Sequence, residues 1–410
     1  PDRGGGRRCG MAGTVGPKPW ECVDRDVARR YRVLRKIGRG CYGVVWEAAR
    51  AGGPARGGAP GADAPEDRAA LKKVLHAFRD GTDAQRTYRE VSYMLHFGDH
   101  DNILRLREVM VASNDMHLYL FTDLLDSDLQ KAIRCTALQP IHRPLIAYQV
   151  LRALKYIHSA SVMHRDVKPS NILLRNSGEA QLADFGWARA APEVIEPALV
   201  APMTEYASTR WYRAPEMLCG GRLYTTAVDM WAMACVIAEM HSDRPLLGGS
   251  STLDMLTKIE EMIGKPLAHD IEAMEAPYVA LAFELAPPGP PSRPVGQWVL
   301  DHGGNEDPEL EDILQLLLQY SPAKRMLVTE ALTHPYVGAF HNPDREPEFG
   351  RPLLLEISDE EKAPASHYRD QIYADVIGRR SAKIRVADEA RERLLRHGPP
   401  GAAGVSVEDV

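Results

Sequence analysis

Long apolar runs are missing from this sequence. None approaches the ~20 residues of a membrane-spanning helix, and the N-terminal residues hold no apolar core of a secretory leader. No membrane span is expected. A metal-binding cysteine pattern is missing too. Cys9, Cys22, Cys41, Cys135, Cys219 and Cys235 are scattered, as in proteins that keep reduced intracellular thiols. Nor is there an excess of one charge: 50 Lys and Arg against 56 Asp and Glu leave −6 over 410 residues, which argues against a general nucleic-acid binder. What is present is apolar content, 44%, enough for two domains or one two-lobed enzyme with a large core.

The pattern changes along the chain. "YRVLRKIGRGCYGVVWEAAR" reads as two strands joined by a glycine turn, and "RAALKKV" as a third strand after a Gly/Ala/Pro stretch from Ala51 to Ala64. That stretch is expected to be a long hairpin loop, because strand-like segments flank it. Residues 82–97 read as a helix and "HLYLFTDL" as a strand. Helical periodicity then takes over: Ile146, Val150, Leu154 and Ile157 recur on one face, the stripe of a core helix. "TTAVDMWAMACVIAEMH" and "LEDILQLLLQYS" are further apolar helices, whereas the Pro-rich residues 266–310 read as irregular. The expected class is α+β: a flexible tail over 1–26, a small β-rich lobe over 27–125, a larger helical lobe over 126–340, and a partly disordered extension over 341–410. Within the extension, "EEKAPASHYRDQIYADVIG" reads as a docking helix.

Four short runs carry chemistry. "GRGCYG" spaces Gly38, Gly40 and Gly43 as GxGxxG, with Val45 following. Glycines let backbone N–H groups approach phosphate oxygens, but turn geometry alone explains them equally well. A strand after the turn, instead of a helix, disfavours a dinucleotide fold. Lys72 on the next strand suits pairing with α- and β-phosphates, and Glu90 on the following helix suits holding that lysine. Lys73 leaves the choice open by one residue, although the frame Ala69-Ala70-Leu71-Lys72 favours Lys72. "HRDVKPSN" gives Asp166 to accept a substrate hydroxyl proton, Lys168 to neutralise a transferred phosphoryl group, and Asn171 to help hold a divalent metal. In "DFG", Asp184 is placed to chelate Mg²⁺, which needs few protein ligands because it keeps waters and phosphate oxygens.

These runs, in this order, resemble the eukaryotic protein kinases from about Tyr31 to Val337. "APE" (Ala214, Pro215, Glu216), Asp229 in "DMWAMAC" and Arg325 in "PAKRMLVTEALTHPY" agree. The resemblance implies a bilobal fold using ATP and Mg²⁺, with Glu216 paired to Arg325. It also implies Thr122 as gatekeeper, Asp123 and Leu125 meeting adenine through their backbones, and Asp128 near the ribose. "MTEYASTRWYRAPE", lying between DFG and APE, is similar to mitogen-activated protein kinases of the extracellular signal-regulated type, and the runs "HAFRDGTDAQRTYRE" and "FGDHDNI" to an atypical branch of them.

That resemblance implies a serine/threonine kinase acting on protein hydroxyls followed by proline, switched by phosphorylation of Thr204 and Tyr206. An upstream kinase or the protein itself would add the phosphates, and phosphatases would remove them. Arg89, Arg165 and Arg189 match positions that gather phosphothreonine, and Arg210 and Arg213 those near phosphotyrosine. Each phosphate brings about −1.5 to −2 charge and three strong acceptors. A cytoplasmic and nuclear location is implied. Departures from the pattern are Trp187 for the usual leucine after DFG, Ala234 for glycine, Ser208 for alanine, and Asn342 and Arg345 for acidic docking residues. Two other readings stand beside it: a pseudokinase scaffold, disfavoured by the presence of Lys72, Asp166 and Asp184, and a cyclin-dependent-like kinase, disfavoured by Tyr206.

Overall fold

The computed structural model describes residues 22–40, 43–51, 68–191, 193–194, 210–221, 223–287, 293–358 and 362–378. Thr204, Tyr206, Ser208 and all of the 52–67 stretch lie outside them. The chain divides into two compact units, one of residues 1–77 and 107–124 and the other of residues 78–106 and 125–410.

The first unit is a five-stranded sheet of β1 (Tyr31–Gly40), β2 (Gly43–Arg50), β3 (Arg68–Val74), β4 (Leu106–Val111) and β5 (Leu118–Thr122), ordered β1-β2-β3-β5-β4. β2 pairs antiparallel with β3, so the 51–64 stretch does join a hairpin. The register puts Val44, Lys73 and Tyr119 in one row and Trp46, Leu71 and Phe121 in the next on the same face, since directly paired residues share a side of the sheet. A short helix, α1 (Arg25–Arg30), covers that face with Val27, and Tyr31 stacks on Phe121 at 4.0 Å between ring centroids.

Residues 22–26, read from sequence as flexible tail, are instead tied to this sheet. Asp24 accepts from the Tyr119 hydroxyl at 2.8 Å and from the Ser113 amide at 2.8 Å, and Lys73 donates to the Cys22 carbonyl at 2.8 Å. Burial alone raises the Asp24 carboxyl, but the Ser113 and Tyr119 hydrogen bonds outweigh it and leave its pKa below the usual value.

The second unit contains α2 (Gly81–Phe97), capped by the Asp80 side chain on the Asp83 amide at 2.9 Å. It continues through β6 (Ser127–Asp128), α3 (Leu129–Arg134), α4 (His142–Ser159), β7 (Val162–Met163), β8 (Ile172–Leu174) and β9 (Ala180–Leu182). Ile146, Val150, Leu154 and Ile157 of α4 are all buried, as the periodicity requires. The helix Ala227–Ser242 is apolar on every side and buried along almost its whole length.

Residues 266–310 correct the irregular reading. They hold three short helices, Ala268–Ala273, Val279–Leu285 and Val295–Asp301. Each is too short to show a sustained helical stripe, and Pro294 sits where it starts a helix instead of breaking one. In the extension, residues 365–378 are helical. Tyr368 is buried against Tyr88 of α2, with centroids 5.6 Å apart, and the Tyr88 hydroxyl accepts from the Ile357 amide at 3.2 Å.

Candidate active site

Strand register decides between the two adjacent lysines. Lys73 is buried on the α1 face, bonded to the Cys22 carbonyl, 3.9 Å from Asp24, and over the Tyr119 ring at 5.3 Å. Burial pushes its pKa down, with Asp24 opposing. Lys72 lies on the other face, in one row with Val45 and Leu120, and Val45 in turn pairs with Gly38. The glycine turn and Lys72 therefore share a face.

The three glycines are not equivalent. A Cβ on Gly43 would run into the Lys73 carbonyl oxygen, so strand packing alone demands glycine there. A Cβ on Gly40 would meet nothing within 4 Å, and on Gly38 only Val45 at 3.8 Å. Among the described residues nothing crowds a Cβ at those two positions, although Gly38 also lies at a register shift of β1. Open backbone there fits the approach of a phosphate.

In the second unit, β8 and β9 form an antiparallel hairpin with Ile172 opposite Leu182. The Ala183 amide continues the ladder to the Asn171 carbonyl at 2.8 Å. Asn171 and Asp184 are thereby brought to one end of the hairpin. Asp184 takes a left-handed backbone, φ 65°, and its side chain accepts from the Gly186 amide. Phe185 is buried edge-on to His164 at 4.9 Å and tilted against Phe97 of α2 at 6.0 Å.

Between β7 and β8, the catalytic run is cross-linked by polar groups. Lys168 Nζ lies 2.7 Å from Asp166 Oδ2, and Asn171 Nδ2 donates to the same oxygen at 2.9 Å and to the Asp166 carbonyl at 2.8 Å. Both side-chain bonds fall on Oδ2. Burial raises the Asp166 pKa, Lys168 pulls it back, and the neighbouring Asp184 charge raises it again. His164 is fully buried, and burial lowers its pKa, so the ring is neutral. Its Nε2 donates to the Ala183 carbonyl at 3.1 Å, which leaves Nδ1 to accept from the Asp166 amide at 3.3 Å.

Asp229, known from sequence only as a family mark, is what holds this loop. It accepts from the amides of His164 at 2.8 Å and Arg165 at 2.7 Å and lies 2.9 Å from His158 Nε2. Burial by itself would raise its pKa, but the His158 contact and the His164 amide win and hold it below the usual value. The available signal was a lone carboxylate in an apolar helix, "AVDMWAMACV". Glu216 and Arg325 are paired as expected, through two bonds of 2.9 and 3.2 Å; the other guanidinium N–H groups reach the Ala227 and Gln319 carbonyls.

Arg165, Arg210 and Arg213 come together. Arg213 is lowered first by burial and then by the charges of Arg210 and Arg165, against the pull of Asp166. Arg189 donates to the Ala188 carbonyl at 2.9 Å, and Arg89 is buried on α2. Glu90 is buried on the same helix. Asp123 is ion-paired through its side chain to Arg107, which leaves its backbone as the part that could meet a base. Leu125 is half-buried. Asp128 caps α3 through the Lys131 amide at 2.9 Å and pairs with the Lys131 amine at 2.8 Å, a structural task that sequence reading did not assign it. Thr122 is buried.

The sequence that builds this site has known relatives. Residues 31–337 match the protein kinase domain. The chain belongs to the protein kinase family. This kinase is 41% identical to extracellular signal-regulated kinase 2 of Dictyostelium discoideum over 358 residues, covering 87% of this chain and 92% of that protein. It is 40% identical to mitogen-activated protein kinase 15 of Rattus norvegicus, over 87% of this chain but only 63% of that longer protein. Mitogen-activated protein kinase 10 of Arabidopsis thaliana is 34% identical over 84% of this chain and 82% of its own length. Within the family this kinase is therefore of the serine/threonine mitogen-activated type, and the cyclin-dependent and scaffold readings are not favoured. The family uses ATP. Among the described residues, no helix is long and apolar enough to cross a membrane.

Proposed function

We propose that this kinase transfers the γ-phosphate of ATP to serine and threonine hydroxyls followed by proline, and that phosphorylation of Thr204 and Tyr206 raises its activity. The observation that carries the transfer step is Asp166: Lys168 and Asn171 both bond Oδ2 and orient the carboxylate, so Oδ1 is the atom to take the hydroxyl proton. Lys168 then stands beside the charge of the group in transfer. Gly38, Gly40, Val45 and Lys72 would bind the nucleotide from the first unit, and Asp123 and Leu125 would meet its base. Asn171 and Asp184 would hold Mg²⁺, which when bound neutralises phosphate charge.

The regulatory part rests on Arg165, Arg210 and Arg213. Like charges lowering the Arg213 pKa are relieved by a phosphate. A cytoplasmic and nuclear place of action, with an upstream kinase or self-phosphorylation and opposing phosphatases, belongs to the same reading. The test is incubation of purified protein with Mg²⁺, ATP and paired Ser-Pro and Ser-Ala peptides, followed by phosphosite mapping. Transfer to Ser-Pro that is lost in Asp166→Asn is expected. Equal transfer to both peptides would remove the proline preference, and undiminished activity of a Thr204→Ala, Tyr206→Phe protein would remove the switch.

A further inference from the structure

Trp187 stands where leucine is usual after the metal-binding Asp184-Phe185-Gly186 turn, and the structure gives its ring a partner. The guanidinium of Arg86, on α2, lies 5.0 Å from the Trp187 ring centroid. The same side chain crosses Gly186: a Cβ built there would sit 2.8 Å from Arg86 Nε and 3.2 Å from Arg86 Cγ. Arg86 is thus laid along the turn, over a glycine that leaves room for it and against an indole that attracts it.

The contact has a counterpart three turns along the helix, where Phe97 meets Phe185 at 6.0 Å. Arg86, Glu90, Tyr93 and Phe97 recur at spacings of four, three and four, so they lie on one face of α2. Glu90 sits one turn after Arg86 and two before Phe97. A helix held at two points along one face is fixed in rotation as well as in position, and Glu90 lies between those points. On another face, Tyr88 packs on Tyr368 of the extension.

We infer that Trp187 is a positioning residue: by seating Arg86 across Gly186, it fixes the rotation of α2, and with it the direction of Glu90, against the metal-binding turn. Leucine has no π face for the guanidinium and would loosen this end of the contact while the Phe97–Phe185 contact remains. The inference rests on the phosphoryl-transfer reading above for its effect on rate, but not for its effect on the helix.

The test is a double-variant cycle on the phosphatase-treated full chain, with Trp187→Leu, Arg86→Met, both together, and Trp187→Phe. Trp187→Leu and Arg86→Met are each expected to lower kcat about two- to tenfold, and the pair no further than the worse single variant. Trp187→Phe keeps a ring face and is expected to stay within about twofold of wild type. Amide exchange of residues 81–90 should rise in both single variants while that of α4 does not. Multiplicative losses in the double variant, a Phe variant as slow as Leu, or unchanged exchange in α2 would overturn the clasp. A wild type that stays inactive with Thr204 and Tyr206 phosphorylated as well would sink the transfer reading instead, and the exchange comparison would still decide the clasp.

Discussion

The glycine turn and the catalytic loop are the two most motif-like runs in the chain, and they are built in opposite ways. The loop is defined by its side chains. Asp229 binds two of its amides, and Lys168 and Asn171 orient Asp166. The turn is defined by the side chains it lacks, and only Gly43 is demanded by packing. A motif made of polar cross-links is sensitive at every position, because each loss leaves a buried partner unsatisfied. A motif made of open backbone is silent in the fold and answers only to its ligand.

The largest expected effect lies in the loop. Asp166→Asn should lower kcat roughly 10²–10⁴-fold with little change in melting temperature; a loss of less than tenfold would mean the proton goes elsewhere. Asp229→Ala should cost about 3–5 kcal/mol of stability, because it strips the acceptor from buried donors. Denaturant titration would show it, and a cost below about 1 kcal/mol would deny that Asp229 organises the loop. The pH dependence follows from the sign of its shift. A carboxyl lowered in the folded state contributes fully above its unfolded value, and that contribution fades as pH falls through the folded one. The stability gap between wild type and Asp229→Ala should therefore narrow only in acid.

The turn then sharpens the contrast. Gly43→Ala should destabilise the first unit by about 1–3 kcal/mol, as overpacking does. Gly40→Ala should melt within about 0.5 kcal/mol of wild type yet weaken ATP binding. If Gly40→Ala instead costs more than about 1 kcal/mol of stability while leaving the KM for ATP unchanged, the two motifs are not opposites. The adjacent lysines give a further test. Lys72→Met should remove transfer, whereas Lys73→Met should cost about 1–3 kcal/mol through the lost Cys22 and Asp24 contacts.

The same contrast explains what could be read from sequence. Asp166, Lys168, Asn171 and Asp184 were legible because their run is contiguous and the hairpin that joins them is short. The role of Asp229 was not, because the amides it binds lie 64 and 65 residues away in sequence. The frame Ala69-Ala70-Leu71-Lys72 favoured Lys72 over Lys73 but gave no reason for the difference. The register of three strands put them on opposite faces, and period-2 alternation does the rest. The helix α1 was missed because six residues show too little periodicity, and Asp24, which anchors its start, contacts residues 89 and 95 positions away. Asp128 looked like a ligand residue, and the cap it makes on α3 is an equally good use of an aspartate at that place.

The β8–β9 hairpin has a consequence for engineering. Asn171 and Asp184 reach one end of it because Ile172 faces Leu182, while the chain turns back at the far end through residues 175–179, where Arg175 and Glu179 pair at 2.7 Å. That turn lies at the end of the hairpin away from Asn171 and Asp184, so added length there, as a tag or a reporter loop, is expected to disturb the Asp126 and Gln149 contacts of the turn before it reaches either residue. Slipping the ladder by one residue would turn both to the wrong side.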